Sequence, residues 1–324
     1  MNIYGKTKID SYFQNLVKCK SVGQFYIFEG PDGVGKKTFA DYLASMIHCE
    51  SDVKPCGMCP SCIKHQTHNH PDYIRIENDD SEKEKKNISV ETIRRYSRDM
   101  FVKPLISDTK IYLLDDEKPL ASEGQNAFLK ILEEPPSYVL IIMLIKNSSS
   151  LLETVLSRGV KISVDPCTHD ETINYLNDNF PSSSHRAELI ASFSGGVLGS
   201  AKSLAEEDSF FSMRDDFYNL FSEFSSNGTK ALENTLTFIL KNKDNVYDII
   251  NLIVSWLRDI ICLKTSDEKH IINFDFKDKL SVFASGITAE KVIKTADEAE
   301  KMAKHFTKGN NLELWSLNML KNLI

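Results

Sequence analysis

The chain has 324 residues, 41% of them hydrophobic, and a formal net charge of −7. That composition suits two or three globular domains with sizeable cores and excludes a disordered chain. A negative balance also excludes a protein coated in basic residues for binding DNA on its own, so any nucleic-acid contact has to be local or shared. The opening Met-Asn-Ile-Tyr-Gly-Lys carries no signal-peptide run, and no later stretch reaches the length of a membrane span. A cytoplasmic protein with no membrane partner is expected.

In chain order, Ile9, Phe13, Leu16 and Val17 recur at helical spacing and predict an opening helix over 8–19, with Cys19 read as a small buried hydrophobe. Tyr26-Ile27-Phe28-Glu29 follows as a strand, and a glycine-rich turn then opens into a helix at Thr38-Phe39-Ala40. Strand, loop and helix in this order make a P-loop. Gly30, Gly33 and Gly35 let backbone amides curl around phosphate oxygens, Lys36 adds a point charge, and the helix contributes its positive end. The loop therefore suits a nucleoside triphosphate such as ATP. One position is wrong for hydrolysis: the residue after the loop lysine should be Ser or Thr to hold magnesium, and here it is Lys37. On a helix, Thr38 points about 100 degrees away from that position.

Seven cysteines in a cytoplasmic chain read as metal ligands or buried thiols rather than disulfides. Cys49, Cys56, Cys59 and Cys62 form a Cys-x6-Cys-x2-Cys-x2-Cys array. Tight Cys-x-x-Cys turns containing Gly and Pro present sulfurs that can close a tetrahedron at about 2.3 Å from zinc. Four thiolates leave no open coordination position, so the expected metal is a structural zinc in a knuckle over 49–62. The alternative, a redox Cys-x-x-Cys pair, does not need four cysteines. His48, His65, His68 and His70 are near enough in sequence to substitute as ligands and are otherwise read as exposed or helix-end residues.

His70-Pro71-Asp72 leads into a second strand, residues 78–86 form a mixed-charge solvated loop, and Ser89 is the expected N-cap of a helix whose Val90, Ile93, Met100 and Phe101 cover one sheet face. Lys110-Ile111-Tyr112-Leu113-Leu114 is an apolar strand that ends in Asp115 and Asp116. A Walker B acid there would hold magnesium, and a second acid would polarise the attacking water. A helix over 125–134 is stopped by Pro135-Pro136, and a wholly apolar strand over 138–145 ends in Lys146-Asn147. A short helix over 151–156 ends in Ser157-Arg158-Gly159 before a fifth strand at 160–164. That placement makes Arg158 a candidate arginine finger reaching into a neighbouring subunit. Past Asp165-Pro166 the strand patterns stop. Short helices broken at Gly195-Gly196 give way, from 208 onward, to two long apolar stripes. Phe210, Met213, Phe217, Leu220, Phe221 and Phe224 make one, and Val246 through Ile261 the other.

Taken together, the four-cysteine knuckle after the P-loop helix, His70-Pro71-Asp72, the Gln125-Asn126-Ala127-Phe128-Leu129-Lys130-Ile131-Leu132-Glu133-Glu134-Pro135-Pro136 run, Ser157-Arg158 and Trp256-Leu257-Arg258-Asp259 resemble the bacterial clamp-loader subunits of the AAA+ superfamily. Within that family the resemblance is to the delta-prime branch of the DNA polymerase III loader. It implies an α/β P-loop domain over 1–165 carrying the knuckle, a small helical lid over 166–206, and an all-α collar over 207–324. It also implies partners: the gamma/tau and delta subunits, and through the assembled ring the sliding clamp and primer-template DNA. Arg158 matches the family's trans-acting arginine, although Gly159 replaces the usual cysteine.

The departures separate two siblings. Motor subunits of the gamma/tau type carry Thr after the loop lysine, Asp-Glu in Walker B and a sensor threonine, where this chain has Lys37, Asp115-Asp116 and Ile145-Lys146. Gly199-Ser200-Ala201-Lys202 has no arginine at the second sensor, with Lys202 as a partial stand-in. Lost hydrolysis residues beside a kept arginine fit a stator with little ATPase activity of its own. The alternatives are an active gamma/tau-type ATPase, a P-loop nucleotide kinase, and a scaffold that binds no nucleotide.

Overall fold

In the computed structural model, which describes residues 3–78, 87–115, 119–225, 227–265, 270–305 and 311–323, the chain divides into two compact units at Ser203/Leu204. The first alternates helices and strands: α1 (Thr7–Lys18), β1 (Phe25–Glu29), α2 (Lys36–His48), α3 (Pro60–Gln66), β2 (Tyr73–Arg75), α4 (Val90–Asp99), β3 (Lys110–Leu114), α5 (Ser122–Glu133), β4 (Val139–Ile145), α6 (Glu153–Leu156), β5 (Val160–Ser163), α7 (His169–Asn179), α8 (Ala187–Ser194) and α9 (Leu198–Glu206). The helices expected as a lid thus belong to the same unit as the sheet up to residue 203.

The five strands are all parallel, in the order β2-β3-β4-β1-β5. Val139-Leu140-Ile141-Ile142-Met143-Leu144-Ile145 can be the central strand because every one of its side chains is buried, as a sheet covered on both faces requires. One face packs Ile93, Met100, Phe128 and Ile131 against Ile141 and Met143; the other packs Phe13, Phe39 and Leu43 against Phe28 and Ile142. β1 lies between β4 and β5, so the loop leaving its carboxyl end opens at the edge where such sheets bind ligands. Ser89 caps α4 as expected, its Oγ accepting from the Thr92 amide at 3.1 Å.

Three expectations need correction. Cys19 is exposed, because it forms the C-cap where α1 ends and the chain turns away from the core. Phe101 is 67% exposed rather than packed on the sheet. It lies past the end of α4 and heads a segment in which Val102, Leu105 and Ile106 are exposed as well. That segment is held from below by Asp72, a fully buried carboxylate that accepts the amides of Leu105 (2.6 Å), Ile106 (2.9 Å) and Ser107 (2.9 Å).

The third correction concerns the second unit, which is helical: α10 (Asp208–Ser222), α11 (Gly228–Lys241), α12 (Val246–Lys264), α13 (Lys277–Gly286), α14 (Ala289–His305) and α15 (Leu312–Leu320). The stripe on α12 is buried from Val246 to Ile260. On α10 the buried face carries Phe211, Arg214, Phe217, Tyr218 and Phe221, while Phe210, Met213 and Leu220 sit at its margins. The face is rotated because Arg214 goes inward. Its guanidinium bonds Asn273 Oδ1 at 3.0 Å and Asp275 Oδ1 at 2.6 Å, and stacks 5.1 Å from the Tyr218 ring. Asp259 is buried for a related reason: it accepts the amides of Ile272 and Asn273 at 2.9 and 2.8 Å.

Candidate functional site: phosphate loop, cysteine knuckle and Arg158

The P-loop curls through two glycines in the left-handed region, Gly33 at φ 73° and Gly35 at φ 100°, the second of which is the N-cap of α2. Gly30 does a different job. A Cβ there would lie 2.4 Å from the Val164 carbonyl oxygen, so the bare backbone is what lets the loop leave β1 alongside β5. Lys36 is buried, and its ammonium donates to the loop's own carbonyls, Gly30 O at 2.7 Å and Pro31 O at 3.0 Å. Lys37 turns the other way and meets Asp115 Oδ2 at 2.6 Å. At the end of β4, Lys146 pairs with Asp32 of the loop at 2.5 Å.

Gly33, Gly35, Lys36, Lys37, Thr38 and Asp115 therefore line one cleft of about 800 Å3, whose other walls include Tyr4, Tyr175, Gly199 and Lys202. Asp116 lies outside the described residues. The start of α9 packs directly onto the loop. The Gly199 amide donates to Gly33 O at 2.8 Å, and a Cβ at Gly199 would lie 2.8 Å from Gly33 Cα. A side chain at Gly199 has no room while α9 holds this position.

Sequence reasoning missed two residues that hold the segment leaving β4. Glu29, the last residue of β1, accepts the Ser148 amide at 2.6 Å and the Ser148 hydroxyl at 2.9 Å, and pairs with Lys161 at 2.6 Å. The Lys161 bond holds its carboxyl below the usual range. An acid closing an apolar strand was the available signal. Gln125, buried on α5, donates to Leu120 O and Ser150 O at 3.0 and 2.9 Å and accepts the Leu152 amide at 2.7 Å, which pins the segment leaving β4.

The four predicted cysteines converge. Their sulfurs all lie within 4.8 Å of one another, with Cys56–Cys62 and Cys59–Cys49 each at 4.0 Å. Sulfurs bound tetrahedrally at about 2.3 Å from one ion are separated by nearly that distance. Backbone amides already point at them: Cys56 N–H to Cys49 Sγ at 3.3 Å, Cys59 N–H to Cys56 Sγ at 3.3 Å, and Cys62 N–H to Cys59 Sγ at 3.4 Å. Such bonds favour thiolate, and the amides of Met58 and Cys59 lower the Cys56 thiol to about 6. The donor set can hold zinc.

The nearby histidines are not surface residues, apart from His68. His48, His65 and His70 are buried, and although their nitrogens are close enough together to suggest a second metal site, the rings are arranged otherwise. His70 stacks on His48 and on His65, with centroids 4.2 and 4.5 Å apart and planes within 20° and 19°. Imidazole lone pairs lie in the ring plane, so stacked rings do not aim at one ion. Each ring instead finds a protein partner: His48 Nε2 with Thr109 O at 2.9 Å, His48 Nδ1 with His65 Nε2 at 2.8 Å, and His70 Nδ1 accepting the Asp72 amide at 3.3 Å. Burial lowers His48 to about 3 and His65 to about 4, so this stack is neutral and ties the knuckle helix α3 to α2.

Arg158 lies between α6 and β5, away from the chain's own phosphate loop. Its Nη2 meets Glu133 Oε1 at 2.7 Å and its Nη1 donates to Thr154 O at 2.6 Å, which leaves the guanidinium at the surface.

Comparison with known proteins adds the family. Residues 5–168 match the family described as "DNA polymerase III, delta subunit", and residues 209–323 match "DNA polymerase III, delta subunit, C terminal". The delta' subunit of DNA polymerase III from Bacillus subtilis is 24% identical over 282 residues, covering 86% of this chain and 84% of that protein. The tau/gamma subunit from Haemophilus influenzae is 27% identical and the gamma/tau subunit from Mycoplasma genitalium 29% identical, each over 64% of this chain. The chain spans only about a third of the length of those two, 30% and 35%. Among solved structures, a gamma subunit-related protein from Thermotoga maritima is similar over 97% of both chains, at 17% identity and a TM-score of 0.45. Matching the one family description over half its length and the companion C-terminal description over most of the rest, the chain belongs to the DNA polymerase III delta subunit family.

Proposed function

We propose that this chain is a delta-prime-type stator of the bacterial clamp loader: a cytoplasmic subunit with little or no ATP hydrolysis of its own that donates Arg158 to a neighbour's ATP site. It assembles with gamma/tau and delta, and through the ring it acts on the sliding clamp and primer-template DNA. In this reading residues 1–165 form the AAA+ nucleotide-binding domain, 166–206 its lid and 207–324 the collar of the ring. The observation that carries it is the Lys37–Asp115 pair at 2.6 Å, which puts a protein ammonium where a hydrolysing P-loop keeps its magnesium. A delta' subunit is among the relatives the chain matches over most of its length, which is compatible with the same choice. No helix among the described residues is long and apolar enough to cross a membrane.

The test is reconstitution with the partner subunits. Arg158→Ala leaves assembly intact and lowers the clamp- and DNA-stimulated ATPase. An arginine finger contributes about 10³–10⁵ in kcat at the site it serves, so even one site among several is measurable. An unchanged rate removes the assignment. Magnesium-dependent turnover by the isolated chain, abolished by Lys36→Ala, overturns the stator reading in favour of a gamma/tau-type ATPase.

A further inference from the structure

We propose that the P-loop cleft binds a nucleoside polyphosphate without a divalent cation, the Lys37 ammonium standing against Asp115 in the cation's place. This deepens the reading of the loop as a nucleotide cradle and holds whether or not the subunit enters a ring.

A P-loop magnesium ion needs a hydroxyl directly after the loop lysine and an acid at the end of the neighbouring strand. Here the hydroxyl is absent and the acid is taken: Lys37 Nζ is 2.6 Å from Asp115 Oδ2. Magnesium binds carboxylate oxygen at about 2.0–2.1 Å. An ion on Asp115 would have to compete for that carboxylate with an ammonium already tethered beside it.

The charge of the cleft fits an anion that brings no metal. Lys6, Lys36, Lys37 and Lys202 line it against Asp32 and Asp115, four positive to two negative among the described lining residues, in a chain whose net charge is −7. Lys36 rests on two backbone carbonyls, which it can exchange for phosphate oxygens in stronger, charge-assisted bonds. Beyond the loop, Tyr4 and Tyr175 meet edge to face with centroids 5.2 Å apart, and Asn179 donates to the Tyr175 carbonyl at 2.8 Å beside them. This aromatic and amide wall suits a base and ribose, so the ligand class is a nucleoside di- or triphosphate rather than free pyrophosphate.

The experiment is calorimetric titration of the full zinc-loaded chain with ADP and ATP, in excess magnesium and again in buffer stripped of divalent cations over chelating resin. A soluble chelator is avoided because it would also attack the knuckle. Equal dissociation constants in the two buffers, within about twofold, are expected. In Lys37→Thr, which restores the hydroxyl and frees Asp115, affinity should fall about tenfold or more when magnesium is removed. Wild-type affinity that falls tenfold without magnesium overturns the proposal, as does absence of binding in both buffers. A Lys37→Thr chain that binds equally in both buffers removes the role given to Lys37. If that variant does not fold, the wild-type pair of titrations decides alone. Copurification with the partner subunits is scored separately, so a chain that assembles but binds no nucleotide refutes this inference and leaves the subunit reading standing.

Discussion

Replacing Asp72 with Ala should release the exposed apolar segment at residues 101–107 and cost stability that can be worked out from its hydrogen bonds. The carboxylate accepts three backbone amides at 2.6, 2.9 and 2.9 Å from a fully buried position. Leu105 and Ile106 are 76% and 52% exposed, so water reaches their backbone once the acceptor is gone, and the full penalty for a buried unsatisfied donor does not apply. At about 1 kcal/mol net for each bond the loss is about 3 kcal/mol, measured by urea denaturation of the first unit's transition. Hydrogen exchange at the Leu105, Ile106 and Ser107 amides should quicken together. The pH dependence has a defined sign. Burial pushes the Asp72 carboxyl up, but the three amides pull it down further, leaving it below its ordinary value. Its contribution is therefore complete above about pH 4 and is lost as pH falls below that, so wild type and variant converge in acid. A stability change under about 0.5 kcal/mol at neutral pH, the size of an ordinary surface substitution, with unchanged exchange at 105–107, would refute this account of the segment.

Cys59→Ser removes one of four converging thiols and should lower the zinc content measured by atomic emission. It should also destabilise the knuckle, since the binding energy of such a site is folding energy; carefully reduced wild-type protein that carries no zinc would count against the site. Gly199→Ala places a Cβ 2.8 Å from Gly33 Cα, a contact with backbone that no rotamer relieves. A loss of about 1–3 kcal/mol is expected, with faster exchange at the Gly199 amide, and an unchanged exchange rate there would mean α9 does not rest on the loop.

Much of the sheet was legible because its strands obey simple rules. β4 is seven consecutive apolar residues, which is what a strand covered on both faces must be, and Pro135-Pro136 marks the end of the helix before it. The substitution at Lys37 was also visible as a residue type in a fixed motif, although its pairing with Asp115 was not. What stayed hidden depends on residues distant in sequence that meet only in the fold. His48, His65 and His70 come from α2, α3 and the approach to β2, and nothing local distinguishes a buried stack from three surface histidines. The same holds for Arg214, whose partners Asn273 and Asp275 lie beyond α12, so a stripe built from apolar residues alone came out rotated. Phe101 was misplaced by periodicity itself, which continues past the last residue of α4 while the backbone does not.

The P-loop cleft then poses one question of cause. A hydrolytic P-loop has positions that change occupancy during turnover: a cation at the strand-end acid and a lid residue that answers to the phosphates. In this chain the first is occupied by the chain itself, and the segment leading to Lys202, which lines the cleft, is fixed on the loop. Lys37 holds Asp115, and the Gly199 amide holds Gly33 O with no space left for a longer side chain. Neither contact needs a ligand, so neither would report on whether one is triphosphate or diphosphate. On the stator reading this follows from the role: a subunit that must offer Arg158 to its neighbour at every stage of the cycle gains from a phosphate loop whose geometry does not depend on its own nucleotide.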